Sequence, residues 1–567
     1  MLQKALREYE AVSAESTLGS LTDGSARTAV NVRRFPWIRP LAADYAFNFE
    51  RIASLYAGDP TSRTAWADAM TRAASYPRSR QAVADVLAAQ QARRNAPAAA
   101  RAAAASLANA ATVAVVTGQQ AGAVGGPLFT LLKALTALQL VRRAASEHRA
   151  EVVAVFWVDA EDHDWNEIAS CTVLDASFQP RTVTIPPPDG AGERSIGTLK
   201  LDDRIEPTLD ELSAALGETA FTTDLMAQLR AAYRPGAGVA EAFATWIEAV
   251  LGPHGLIVFD ASDPAAKPLV AKVFSHEVQS AGRTSALAAV AGESLAAKGH
   301  RPQVTPQADS LAMFHVDLAG GARRSIKRQG DGFVAGDRTF TAAELSAETS
   351  SAPDRFSPNV LLRPIVQDTL FPTVCYIAGP SELAYLGQLR EVYESFGVPM
   401  PLIYPRATAT LVDSATARFL AKYDVPIESL QPQDESALNR LLESQIPQGV
   451  ELALKDAEET ARRVMTRVIE EVPSVDPTLA GAARTTLSRI EHDLQSLHNK
   501  MIQAAKKKDD TLRRQFARTQ AQVFPLGHPQ ERTLGVVYFL NRYGPAVVDR
   551  LLAELPLDLG QHWILTV

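Results

Sequence analysis

The chain has 567 residues, enough for three to four domains of about 150 residues each, or for one large core with insertions. Lys plus Arg number 57 and Asp plus Glu 64, a formal net charge of −7, so no positive field favours nucleic acid or an anionic membrane surface. The two cysteines, Cys171 and Cys375, exclude a disulfide framework and a four-thiolate zinc site. No apolar run approaches a membrane span and the amino terminus lacks an apolar signal region, so a cytoplasmic protein is expected.

Residues 1–110 read as a helical amino-terminal part of the core, with Trp37, Phe47, Phe49 and Tyr56 as packing anchors and an Ala-rich helix from about 80. The β-branched run 112–117 predicts a buried strand ending at Gly118. A glycine-rich turn follows, with Pro127 in the first turn of an apolar helix that extends to about 145. A second buried strand at 151–158 completes a β–α–β unit. Such units predict an α/β fold, a Rossmann-like doubly wound parallel sheet with ligands at the carboxyl ends of its strands.

Further strands are expected at 256–260, 373–378 and 401–405, with helices at 207–250 and 381–396. The predicted organisation is a core over 111–300 with a first insertion, a second, β-leaning insertion over 301–350, and the core resumed over 351–415. Apolar residues at 450, 454, 457, 461, 464 and 468, and again at 487, 490, 494, 497, 501 and 504, alternate spacings of four and three. That is a heptad seam. It predicts an α-helical coiled-coil domain over 416–523, an antiparallel hairpin able to pair in cis and in trans, with one helix over 478–522. The segment 524–567 is expected to return to the core.

Three segments carry candidate chemistry. In V-T-G-Q-Q-A-G-A-V-G-G-P (116–127), Gly118, Gly122, Gly125 and Gly126 let backbone approach a ligand, and the next helix N-terminus offers N–H groups to an anion. Gln119 and Gln120 can donate and accept hydrogen bonds. The pattern is neither G-x-G-x-x-G nor a Walker loop, and a tight structural turn would also use glycines. In F-W-V-D-A-E-D-H-D-W (156–165), Asp159, Glu161, Asp162 and Asp164 crowd His163, with Trp157 beside them. Crowded carboxylates shift each other's protonation and attract an ammonium group or a cation. The third segment, 361–385, presents Arg363, Gln367 and Asp368 before a strand, then Tyr376, Gly379, Glu382 and Tyr385 after it starts. An Arg363–Asp368 ion pair is the plain structural account; a substrate pocket is the functional one. Arg406 follows the strand at 401–405 as a candidate anion contact. Cys375 reads as a small core residue.

The set T-G-Q-Q-A-G…G-G-P, F-W-V…E-D-H-D-W, N-V-L-L-R-P-I-V-Q-D, Y-I-A-G-P-S-E-L-A-Y-L-G-Q-L and P-M-P-L-I-Y-P-R, with the tail Q-E-R…Y-F-L-N-R-Y-G, resembles the bacillithiol-biosynthesis cysteine-adding enzymes over nearly the whole chain. Ala123, Phe129 and Ser381 depart from the family pattern without removing a charge. The resemblance implies a core similar to class I aminoacyl-tRNA synthetases with connecting-peptide insertions, and a coiled coil that forms a homodimer. It also implies a carbon–nitrogen ligase that joins L-cysteine to the amine of glucosaminyl malate with ATP; no residue is singled out as a metal ligand, and a metal requirement stays open. No synthetase adenylation signature is present.

On that reading, loop 118–126 holds an anionic group and residues 161–164 hold the amine of a substrate or a cation, with His163 as general base. Arg363 or Arg406 meets a carboxylate, and Tyr376 and Tyr385 shape the pocket. The alternatives are a nucleotide-binding scaffold without ligase activity and a nucleotidyltransferase acting on a small acid.

Overall fold

The computed structural model describes residues 27–317, 321–444, 447–508 and 510–567; the remainder, including 1–26 of the amino-terminal part, lie outside the described residues. The chain divides into a larger unit, up to Leu411 and again over 530–565, and a smaller unit whose described part is 412–529.

The larger unit is built on five strands: β1 (Val113–Gln120), β2 (Val152–Asp159), β3 (Leu256–Asp260), β4 (Thr373–Ala378) and β5 (Leu402–Pro405). All pairings are parallel and the spatial order is 5-4-1-2-3. Alternate side chains serve two separate apolar layers. Val113 and Val115, with Phe156 and Val158, join one cluster; Ala114 and Val116, with Val155 and Trp157, join the other. Burial on both faces explains why these strands read as continuous apolar runs rather than alternating ones. Helix α1 (Leu128–His148) joins β1 to β2 and buries Leu128, Leu131, Leu135 and Leu138 in the first layer.

Two expectations shift here, and one is filled in. Strand β1 runs to Gln120, because β2 keeps pairing with it as far as Gln120 opposite Asp159. Gly118 permits this: a Cβ there would lie 2.9 Å from the Trp157 carbonyl oxygen. Pro127 is the N-cap of α1 rather than a residue of its first turn. Arg363, Gln367 and Asp368 lie on a helix, α2 (Arg363–Leu370), with Pro364 at its start.

The segment between β3 and β4 carries a five-stranded antiparallel sheet in the order 338–341, 332–335, 323–329, 310–316, 356–358. The strand Gln561–Thr566 pairs antiparallel with Arg27–Asn31.

In the smaller unit, α3 (Gln448–Glu471) and α4 (Leu479–Lys508) form a hairpin. Arg462 Nε donates to Glu491 at 3.0 Å, and His498 Nε2 lies 3.1 Å from Glu451. One helix advances as the other recedes, so the pair is antiparallel. The helix expected over 478–522 is described as α4 and α5 (Asp510–Val523), on either side of residue 509.

Candidate active site

In this strand order the chain reverses direction between β1 and β4, and ligands of open α/β sheets bind outside the carboxyl ends at such a point. A crevice of about 510 Å³ lies there, lined from β1, β2 and β4 and from the inserted sheet. That volume is ordinary for a small-molecule site. Trp157 is buried in its floor, and its indole N–H has no partner among the described residues.

One wall is acidic. Gln120 Nε2 donates to Asp162 Oδ2 at 2.8 Å and to Glu167 Oε2 at 2.9 Å. Asp162 Oδ1 accepts the His163 backbone N–H at 2.7 Å, and His163 Nδ1 lies 3.3 Å from the same oxygen. Burial alone would raise the Asp162 carboxyl, but these hydrogen bonds and the Arg323 guanidinium hold it below the usual carboxylate range. Asp159 goes the other way: burial pushes it up, against the opposing charge of Arg363, whose Nε is 3.9 Å away. The His163 side chain is 48% exposed at the rim, free to meet a substrate.

A second cluster in the crevice lining centres on Lys133 and Glu382. Lys133, from the apolar helix α1, is buried; its Nζ donates to Gly118 O at 2.8 Å and Gln119 Oε1 at 3.2 Å, and lies 2.5 Å from Glu382 Oε2. Burial lowers the Lys133 ammonium. Glu382 also accepts from the Gly379 N–H at 2.5 Å, the Tyr376 hydroxyl at 3.0 Å and the Tyr385 hydroxyl at 3.3 Å. Burial would raise this carboxyl, yet the Lys133 ammonium and the Gly379 N–H keep it below its ordinary value. Arg363 donates to Gln367 Oε1 at 3.1 Å and to the Tyr385 hydroxyl at 3.2 Å, which fixes its fork toward the cavity side of α2.

Of the residues singled out in the sequence, the crevice brings together Gly118, Gln119, Gln120, Trp157, Asp159, Asp162, His163, Arg363, Tyr376, Gly379, Glu382, Tyr385 and Arg406. Others stand apart. Gly122, Gly125 and Gly126 do not line it: Gly125 has φ +96°, and a Cβ there would sit 2.1 Å from Trp246 Cζ3, so these glycines serve packing. The N-terminus of α1 is also occupied, since the Leu128 N–H donates to Leu534 O at 2.8 Å and the Val536 N–H to Gly126 O at 3.0 Å. A phosphate therefore does not fit the glycine loop as it fits a dinucleotide-binding turn.

Glu161 is buried against Lys267, which also donates to Phe356 O. Asp164 caps the short helix Trp165–Ile168 by accepting the Glu167 N–H. Gln367 and Asp368 are buried behind the crevice lining; Asp368 accepts from Gln367 Nε2 at 2.9 Å and the Tyr393 hydroxyl at 2.5 Å, so these contacts stand where the structural alternative placed an Arg363–Asp368 pair. Arg406 reaches the crevice but is paired bidentately with Glu531 at 2.7 and 3.0 Å.

Sequence reasoning missed Lys133, Arg323 and Arg532 as crevice residues. A lone lysine inside an apolar helix signals a buried partner, so Lys133 was within reach. Arg323 was not: it is brought in by the inserted sheet, where its Nε donates to Ser357 Oγ at 3.0 Å and its Nη1 lies 3.5 Å from Asp162. Among the described residues, no group of three or more His, Cys, Asp or Glu side chains is arranged to hold a metal ion. None of the described helices is long and apolar enough to cross a membrane.

Fold and site together define a Rossmann-like protein with a charged small-molecule crevice at its switch point and a helical hairpin unit. Residues 28–407 match the family model described as the bacillithiol biosynthesis BshC N-terminal Rossmann-like domain, and residues 409–567 match the BshC C-terminal coiled-coil domain. A relative from Salinibacter ruber is 33% identical over 539 residues, covering 93% of this chain and 96% of its own. Relatives from Koribacter versatilis (33% identical, 77% of this chain and 81% of its own) and Chlorobaculum tepidum (32%, 77% and 80%) follow. All three carry the name "Putative cysteine ligase BshC". The chain belongs to the BshC family of bacillithiol biosynthesis.

Proposed function

We propose that this protein is a carbon–nitrogen ligase that adds L-cysteine to the amine of glucosaminyl malate. The observation that carries the reading is that carboxylates and guanidinium groups line one crevice side by side. An acidic edge (Asp159, Asp162) lies beside cationic groups (Arg363, Arg323) with an exposed imidazole, His163, at the rim. Both substrates bear an ammonium and at least one carboxylate at neutral pH, so each needs both kinds of group. The acidic edge holds the amine, and Arg363, fixed by Gln367 and Tyr385, meets a carboxylate. His163 takes the proton that the ammonium must lose before its nitrogen can attack, a role that requires hydrogen-bond reach and partial exposure.

An amine and a carboxylate at neutral pH form only a salt, so the carboxylate must first be activated, and ATP is the expected donor. No residue is assigned to a nucleotide, because the glycine loop that would hold its phosphates is covered by residues 534–536. Two copies pair along the hairpin on this reading, since Val464, Val468 and Leu497 stay exposed on α3 and α4.

The test incubates purified protein with glucosaminyl malate, cysteine and ATP and follows product mass. ATP-dependent bacillithiol is the expected result. A substrate-saturated protein that binds both small molecules but yields no product in the presence of ATP would refute the ligase assignment.

A further inference from the structure

Behind the crevice lies a second cavity of about 80 Å³, which shares Pro380, Ser381, Arg406 and Arg532 with it. Its outer wall is the segment from Val32 to Arg39. The charges around it do not balance. Arg39, Arg406 and Arg532 line it against Glu531 alone, three positive charges and one negative. His562 adds no charge near neutrality, because burial holds its imidazole down to about 4.

The one carboxylate is already committed. Glu531 takes both Arg406 hydrogen bonds and the Ala409 N–H at 3.0 Å. The Arg39 guanidinium donates only to the neutral Gln303 amide oxygen among the described residues. Arg532 makes no ion pair or hydrogen bond among the described residues, and the Ser381 hydroxyl likewise has no partner there. Like charges gathered at a cavity repel, and an anion placed between them relieves the repulsion. The size sets the class of ligand. A cavity of this volume holds several waters, at roughly 10–15 Å³ each, which is room for one phosphate or carboxylate group and none for a nucleoside.

We propose that this cavity is a subsite for a single small oxyanion, held by the Arg532 fork together with Arg39, the free N–H groups of Arg406 and the Ser381 hydroxyl. The shared residues place it where an anionic group of a molecule in the crevice reaches it, as does a free anion. A planar fork that matches an oxyanion in two places makes arginine the fitting residue. The assignment goes beyond the ligase reading, and binding tests it without turnover.

Full-length protein is titrated calorimetrically with inorganic phosphate and, separately, with malate at constant ionic strength. One saturable site is expected, weakened about tenfold or more by Arg532→Gln, the size of a charge-assisted hydrogen bond. Ser381→Ala, a smaller change at a partly exposed position, is expected to weaken it by a few-fold. Phosphate binding that malate does not displace assigns a phosphoryl group to the subsite; malate binding alone assigns a substrate carboxylate. Binding of neither anion, or binding that Arg532→Gln and Ser381→Ala both leave unaltered, overturns the proposal. A protein that makes no bacillithiol but keeps this site refutes the ligase reading only.

Discussion

Replacing Lys133 with methionine removes one ammonium and nearly nothing else in volume. The Lys133 side chain is 3% exposed and Glu382 19%, so the carboxylate loses its cation in a largely dry place. Breaking a buried ion pair from one side costs about 3–5 kcal/mol. Glu382 keeps the Gly379 N–H and two tyrosine hydroxyls, which places the expected cost near the lower end, about 3 kcal/mol. In a cycle with Glu382→Gln, the double variant should recover about 1–2 kcal/mol relative to additivity.

Tryptophan fluorescence during urea unfolding is the assay, because all six tryptophans (37, 66, 157, 165, 246 and 563) lie in the larger unit. The acid behaviour follows from the sign of the shift. The Glu382 carboxyl is lowered in the folded protein, so its stabilisation is present above the unfolded carboxylate pKa and lost as pH falls through the folded one. Lys133→Met should flatten that acid loss. Strictly additive single variants, with an unchanged acid slope, would refute the idea that the pair acts as a unit.

His163→Ala should leave the urea midpoint unaltered, given its 48% exposed side chain, and lower turnover by about 10²–10⁴; intact turnover eliminates the general base. Gly125→Ala forces a Cβ to 2.1 Å from Trp246 at a φ of +96°, and should cost about 2–4 kcal/mol by urea denaturation. A loss under about 1 kcal/mol would mean Trp246 moves freely. In the smaller unit, Asp413 is held at about 2, where burial is outweighed by hydrogen bonds from Thr416, Gln522 and Arg518. The helical transition that fluorescence does not report should therefore weaken as pH falls from about 4 to about 2. Circular dichroism melts of Asp413→Asn should lack that dependence.

The parallel strands, the helix between the first two and the heptad hairpin were legible in the chain because each depends on local periodicity: runs buried on two faces, or spacings of three and four. Two chemical segments, around Gln120 and His163, were legible for a related reason, since polar residues at the ends of buried strands must face solvent or a ligand. Tertiary structure alone decided which of those residues share a cavity. The glycines at 122, 125 and 126 were expected to border an anionic group, but the return of residues 534–536 occupies the helix N-terminus they precede. Arg323 and Arg532 arrive from an inserted sheet and from the returning carboxyl-terminal segment, distant along the chain and without local pattern. Counter-charges likewise cannot be assigned from spacing: Arg406 is neutralised by Glu531, 125 positions on, and Arg363 turns from Asp368 toward Gln367 and Tyr385. Periodicity writes elements into a sequence, whereas the meeting of charges depends on how those elements are stacked.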